Sequence, residues 1–145
     1  MAQTVSRTLL AVIMLMMGVL HFTADSIFVQ IVPPFLPAPY ALVWISGVFE
    51  AALGLGLLFP RTRKLASYGL VALFVAVFPA NIYMAVANVQ VHGLPPWLPQ
   101  PSQGSLWLRL PLQFGFIYWA LRAGRADRSS DSRAGTGSKS SASLG

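Results

Sequence analysis

Four apolar runs, separated by proline-rich or basic stretches, organise this chain. They predict helices over residues 7–22, 40–59, 65–87 and 106–121. Each is close to the roughly 20 residues that one bilayer crossing needs. The second run, Tyr40–Phe59, is the cleanest and ends at Pro60. At its centre stands Glu50, the only carboxylate inside any of the four runs. A carboxylate at mid-membrane costs several kcal/mol, about 2.5–3.5 by the gentler insertion scales, unless it is paired or protonated. Glu50 is therefore expected to face the protein interior. Gly47, Ala51 and Gly54 flank it at helical spacing and would let a second helix come close.

The segments between the runs differ in character. Thr23–Pro39 carries Pro33, Pro34, Pro37 and Pro39, which exclude a regular helix there. Ile27, Phe28, Ile31, Val32 and Phe35 would still form a short apolar face after a cap at Asp25 or Ser26, lying on the membrane surface. Asn88–Ser105 is a second proline-rich loop. Pro79 inside the third helix predicts a kink. The first run has the charge and apolar core of a signal peptide but no A-x-A site after it, so it reads as a retained helix. Residues 122–145 hold almost nothing to bury and read as a disordered cytoplasmic tail following a membrane domain over 1–121.

Composition supports an integral membrane protein. The chain is 55% hydrophobic and only 10% charged, against about 25% charged in soluble domains. The net charge of +6 does not point to nucleic acid, because eight of the ten basic residues fall in the 61–64 turn and after Leu121, in a chain with no soluble domain. Arg7 precedes the first helix. Arg61, Arg63 and Lys64 lie between the second and third, and Arg122, Arg125 and Arg128 follow the fourth. The other two loops have no Lys or Arg. That alternation predicts four crossings of the inner (plasma) membrane with both termini cytoplasmic. The chain has no cysteine, which excludes thiol exchange, iron–sulfur ligation and c-type haem attachment by this chain itself. No catalytic motif or metal-ligand spacing is present, so any redox role requires a partner.

The two proline loops repeat one pattern. Val29-Gln30-Ile31 matches Val89-Gln90-Val91, and Pro33-Pro34-Phe35-Leu36-Pro37-Ala38-Pro39 matches Pro95-Pro96-Trp97-Leu98-Pro99-Gln100-Pro101. Equal offsets from these landmarks pair His21 with Asn81 and Glu50 with Gln113. The expected fold is all-α, a four-transmembrane-helix bundle built from two helix–loop–helix repeats about an axis along the membrane normal. Arg109 lies one turn before Gln113. Glu50, Arg109, His21, Asn81 and Gln113 form the candidate polar cluster, placed at mid-depth or in the outer half. A Glu50–Arg109 pair or a Glu50–His21 pair would satisfy the carboxylate. The plainer alternatives are a snorkelling Arg109, an interfacial His21, and Asn81 and Gln113 as interhelical glue. Tyr40, Trp44, Trp97, Trp107 and Trp119 read as aromatic-belt positions, and Met14, Met16 and Met17 as packing rather than a metal box.

Several motifs in order resemble the DoxX family of small four-helix membrane proteins. They are Gly18-x-x-His21-Phe22, Val32-Pro33-Pro34-x-Leu36-Pro37, Ser46-Gly47-Val48-x-Glu50 with Gly54-x-Gly56-Leu57-Leu58, Phe78-Pro79-Ala80-Asn81-Ile82-Tyr83-Met84, and Arg109-Leu110-Pro111-x-Gln113. The resemblance covers residues 7–121. It implies a four-helix bundle and an accessory role in a membrane redox assembly, with no cofactor evident in this chain and a quinone or lipid as the ligand its polar cluster would take. The alternatives carried forward are permeation of protons or a small molecule, and a structural role against another membrane protein or a second copy. The lipid bilayer is the expected partner throughout.

Overall fold

The computed structural model describes residues 1–97 and 99–125, and among these residues the fold is all-α. Five helices follow in order: α1 (Ala2–Thr23), the single turn α2 (Asp25–Phe28), α3 (Pro39–Leu58), α4 (Arg63–Val86) and α5 (Gln103–Ala123). A 3-10 turn, Val29–Ile31, continues α2. The helices α1, α3 and α4 are long and apolar enough to cross a membrane. The 21 residues of α5 extend about 31 Å, but Arg109, Gln113 and Arg122 make it the most polar of the four long helices. A multi-pass membrane protein is the class these elements support. α5 runs through Arg122 and Ala123, the first two residues of the tail expected over 122–145. The rest of that expectation lies outside the described residues.

Helix ends follow local chemistry. Pro39 opens α3 at its first turn, where its missing N–H costs nothing, with Ala38 before it in a left-handed conformation (φ 49°). At the end of α4, Asn88 takes the left-handed conformation (φ 46°) and Val89 N–H donates to the Met84 carbonyl at 3.1 Å. That is the Schellman closure of a helix, with Asn in the position glycine usually takes. Ser102 caps α5, its hydroxyl accepting from Ser105 N–H at 3.2 Å. Pro79 does not interrupt α4, which stays helical on both sides of it. Where an Asp25 or Ser26 cap was expected on α2, the capping position is Ala24 with no side-chain bond. Asp25 instead accepts from Ser26 N–H at 2.7 Å and from the Trp44 indole at 3.2 Å.

α3 packs mainly on α1 and α4, and α5 packs on α4 and on one end of α1. The main core joins Leu10, Ala11 and Met14 of α1 to Leu57 of α3, Leu70 and Phe74 of α4, and Ala120 of α5. A smaller cluster at the other end gathers Met84, Ala85 and Leu106, with Ile31 and Val89 packed on it. The outside is apolar, with Val12, Met16, Phe49, Val75, Leu112 and Phe114 exposed. In water this surface would drive aggregation; in lipid it is the expected exterior.

Arg7 has a second role that its place in the charge pattern does not reveal. It is only 2% exposed. Its Nε donates to the Ala123 carbonyl at 2.9 Å, and Nη2 to the Arg125 carbonyl at 3.2 Å. The last carbonyls of a helix have no intrahelical donor and carry the negative end of its dipole. A buried guanidinium there satisfies both needs. Gln3 Nε2 adds bonds to the Arg122 and Arg125 carbonyls, and Trp119 Nε1 donates to Ser6 Oγ at 2.8 Å. The first two turns of α1 thus latch the end of α5. Replacing Arg7 with Ala is expected to cost about 1.5–3 kcal/mol, the range for hydrogen bonds to a charged group. Thermal unfolding in detergent measures this, with Ser26→Ala at an exposed turn as a control near zero.

Candidate functional site

The five polar residues of interest do not form one cluster. They form two pairs and one outlier. The first pair lies between α1 and α3, where His21 Nδ1 is 3.3 Å from Glu50 Oε2. Both side chains are 11% exposed. Small residues make this contact: a Cβ on Gly47 would lie 2.6 Å from His21 Cβ, and one on Gly18 would lie 2.8 Å from the Gly47 carbonyl oxygen. Further along, a Cβ on Gly54 would lie 2.9 Å from Met14 Cβ. The glycines beside Glu50 therefore admit α1, and α1 brings His21.

The imidazole is held on two further sides. His21 Nδ1 lies 2.8 Å from the Met17 carbonyl one turn back, which places the ring proton on Nδ1. The ring stacks on Phe28, with centroids 4.1 Å apart and planes 22° apart. Because the Nδ1 proton is directed at Met17, the 3.3 Å approach of Glu50 is a close contact rather than a hydrogen bond. Glu50 Oε2 is buried and accepts no hydrogen bond from the described residues. In a low-dielectric interior an acceptor in this position favours a donor brought by a ligand.

The second pair lies between α4 and α5. Asn81 Nδ2 donates to Gln113 Oε1 at 2.6 Å, and Gln113 Nε2 donates to the Phe74 carbonyl. Phe74 precedes Val75, whose carbonyl Pro79 leaves without a helical donor. Gln113 is buried, and this pair has the form of interhelical glue.

Arg109 stands apart, and the expected Glu50–Arg109 pair does not form. Arg109 is exposed and has neither a hydrogen bond nor an ion pair with Glu50. The reason is helix rotation. The inward stripe of α5 runs Leu106, Leu110, Gln113, Ile117, Ala120, so Arg109 is turned by about 100° from Leu110. Its helix also packs on α4 rather than α3. Two other residues were not singled out by sequence. Arg7 is described above. Gln30 ties the two proline loops together, its Oε1 accepting from His92 N–H at 2.8 Å and its Nε2 donating to the His92 carbonyl at 3.0 Å. The repeated Val-Gln dipeptide was its available sign, yet the matching Gln90 bonds only locally, to Asn88. Among the described residues no three His, Asp or Glu side chains gather as a metal site.

With this geometry in place, comparison with known proteins yields one family. The chain belongs to the family described as a domain of unknown function, DUF8561. Its model matches residues 10–124, a span that contains both polar pairs and Arg109. The family found is thus not DoxX. No curated protein and no solved structure matches the chain.

Double-mutant cycles separate the pairs from the outlier. Glu50→Gln and Arg109→Gln should be additive within about 0.5 kcal/mol, as for groups without shared partners. Asn81→Ala and Gln113→Ala should couple by roughly 0.5–1.5 kcal/mol, the range for hydrogen bonds between membrane helices. Thermal unfolding in detergent reads both. A coupling larger than 1 kcal/mol for the first pair would show contact between Glu50 and Arg109 that the structure lacks.

Proposed function

We propose that this chain is an accessory subunit of a membrane redox assembly that offers a polar binding point to a quinone-type ligand. Glu50 and His21 are the residues that meet the ligand. The single observation behind this reading is Glu50 Oε2, buried between two membrane-length helices with no hydrogen-bond donor among the described residues. A quinol hydroxyl would supply that donor, and a protonated Glu50 would donate to a quinone carbonyl. His21 sits beside it, its ring nitrogen 3.3 Å from the carboxylate. The chain brings no cysteine, so electrons are handled by a partner and this subunit holds the ligand and its proton.

The same reading places the chain in the membrane four times, with α5 as the fourth crossing and both termini in the cytoplasm. It takes the His21–Glu50 and Asn81–Gln113 contacts as one contact used twice, since the loop repeat equates His21 with Asn81 and Glu50 with Gln113. In the first unit the pair is ionisable and in the second it is two amides, which assigns ligand chemistry to the first. The DoxX-like motifs support the bundle and the redox association as a resemblance.

Binding of a short-chain quinone to the full chain in lipid nanodiscs tests the function. Saturable binding is expected, about tenfold weaker in Glu50→Ala, as loss of one good hydrogen bond implies. Arg109→Gln should bind as the wild type does. Binding that is absent, or unchanged in Glu50→Ala, overturns the proposal. Topology has its own test: a reporter active only in the periplasm, fused after Ala123, should stay silent, and strong activity there rejects cytoplasmic termini.

A second reading rests on Arg109. An exposed guanidinium on the face of α5 turned away from the bundle would suit a partner helix carrying a carboxylate. Native mass spectrometry from mild detergent distinguishes this reading, because a stoichiometric partner lost in Arg109→Leu favours assembly over ligand binding.

A further inference from the structure

We propose that the groove between the first turn of α4 and the last turn of α5 binds a phosphate group, carried by an anionic phospholipid. This site lies at the basic end of the bundle and is independent of the His21–Glu50 pair. The groove has a volume of about 620 Å³, and Arg63, Lys64 and Arg125 line it together with Tyr68 and Leu121. Lys64 and Arg125, both exposed, therefore bring two cations from different helix ends to one concavity. The carboxylates among the described residues are Asp25 and Glu50. Neither lines the groove: Asp25 bonds to Trp44, and Glu50 lies beside His21.

The helix ends sharpen the preference for an anion. The first turn of α4 presents the positive end of a 24-residue helix. The last turn of α5 would oppose an anion with its free carbonyls, but several of those have donors from other helices. Arg7 holds the Ala123 and Arg125 carbonyls, and Ser67 Oγ donates to the Ala120 carbonyl at 2.7 Å. The groove is also kept narrow at its base. A Cβ on Gly124 would come within 2.5 Å of Ser67 Cβ and Oγ, so α5 approaches α4 here as only glycine permits. The Arg7 and Gln3 bonds to the Arg125 main chain fix the wall that carries the Arg125 side chain.

The surroundings favour a lipid over free phosphate. Leu121 lines the groove, and Leu65, at the start of α4, is 74% exposed. Beyond them lies the apolar exterior of the bundle. A phosphate held by Lys64 and Arg125 would leave acyl chains free to run along Leu65 and Leu121 into the bilayer. Tyr68 lines the groove and is exposed, and amphipathic aromatics of this kind are favoured at membrane interfaces. Basic grooves between membrane helices at the headgroup level are suited to this ligand class.

The test uses the full chain in mild detergent, with melting temperature and native mass spectrometry as readouts. Phosphatidylglycerol should raise Tm saturably and appear as a bound adduct, while phosphatidylcholine at the same concentration should do neither. The double variant Lys64→Ala/Arg125→Ala should melt near the wild type without lipid and bind phosphatidylglycerol roughly thirtyfold more weakly, as expected from two membrane-surface charges. If that variant proves unfolded, the charge-keeping Lys64→Arg/Arg125→Lys protein and a salt titration of wild-type binding take its place; binding must survive the swap and weaken with salt. Inorganic phosphate alone should give a smaller shift than the lipid. An equal or larger phosphate shift overturns the lipid assignment. Equal binding of the two lipids, or unchanged phosphatidylglycerol binding in Lys64→Ala/Arg125→Ala, overturns the site.

Discussion

The close approach of α1 to α3 is the contact on which the rest of the structure depends. Gly18, Gly47 and Gly54 bring backbone within side-chain distance of backbone, and a methyl group on any of the three would meet a neighbour at 2.6–2.9 Å. Between membrane helices no water is expelled, so association rests on packing and on polar groups that find each other. Here both act at one place. The glycines set the spacing, and the spacing sets His21 against Glu50. Without that approach Glu50 would face lipid, at a cost no single helix could offset.

The two ends of the bundle are secured by different means. At the basic end, side chains of α1 and α4 serve the main chain of α5: Arg7, Gln3 and Ser67 all donate to its terminal carbonyls. This answers a general need, because every helix leaves such carbonyls unserved and the bilayer offers little water to replace them. At the opposite end the proline loops cannot build regular hydrogen bonds, and one side chain, Gln30, stands in for a strand pairing by bonding both to and from the main chain of His92. Between these ends lies the ionisable pair, on the side of the proline loops, where His21 stacks on Phe28. Rigid ends and a buried polar centre are compatible with holding a ligand at a defined depth.

The ionisable and amide pairs show how one arrangement can serve two purposes. Asn81 and Gln113 satisfy each other and the Phe74 main-chain carbonyl, leaving little capacity for anything else. His21 spends its Nδ1 proton on Met17 and leaves Glu50 Oε2 unserved. The difference lies in donor count. Two amides offer donors and acceptors in balance, whereas a carboxylate and a committed imidazole do not.

The sequence by itself determined the helices and the class of protein. Apolar length, proline placement and basic loops are local properties, and the bounds of α3 and α4 fall within a residue or two of those read from the pattern. It also marked Glu50 as a residue that must face inward, since the cost of exposing a carboxylate to lipid does not depend on the fold. Only the tertiary structure decided what Glu50 meets. Arg109 was as plausible a partner as His21 from depth and charge alone. Helix rotation turns Arg109 outward by about 100°, and helix order puts α1, not α5, beside Glu50. The burial of Arg7 and the reach of Gln30 across two loops were hidden for the same reason. Each depends on which helix ends or loops become neighbours, and a pattern along one chain does not record neighbours a hundred residues away.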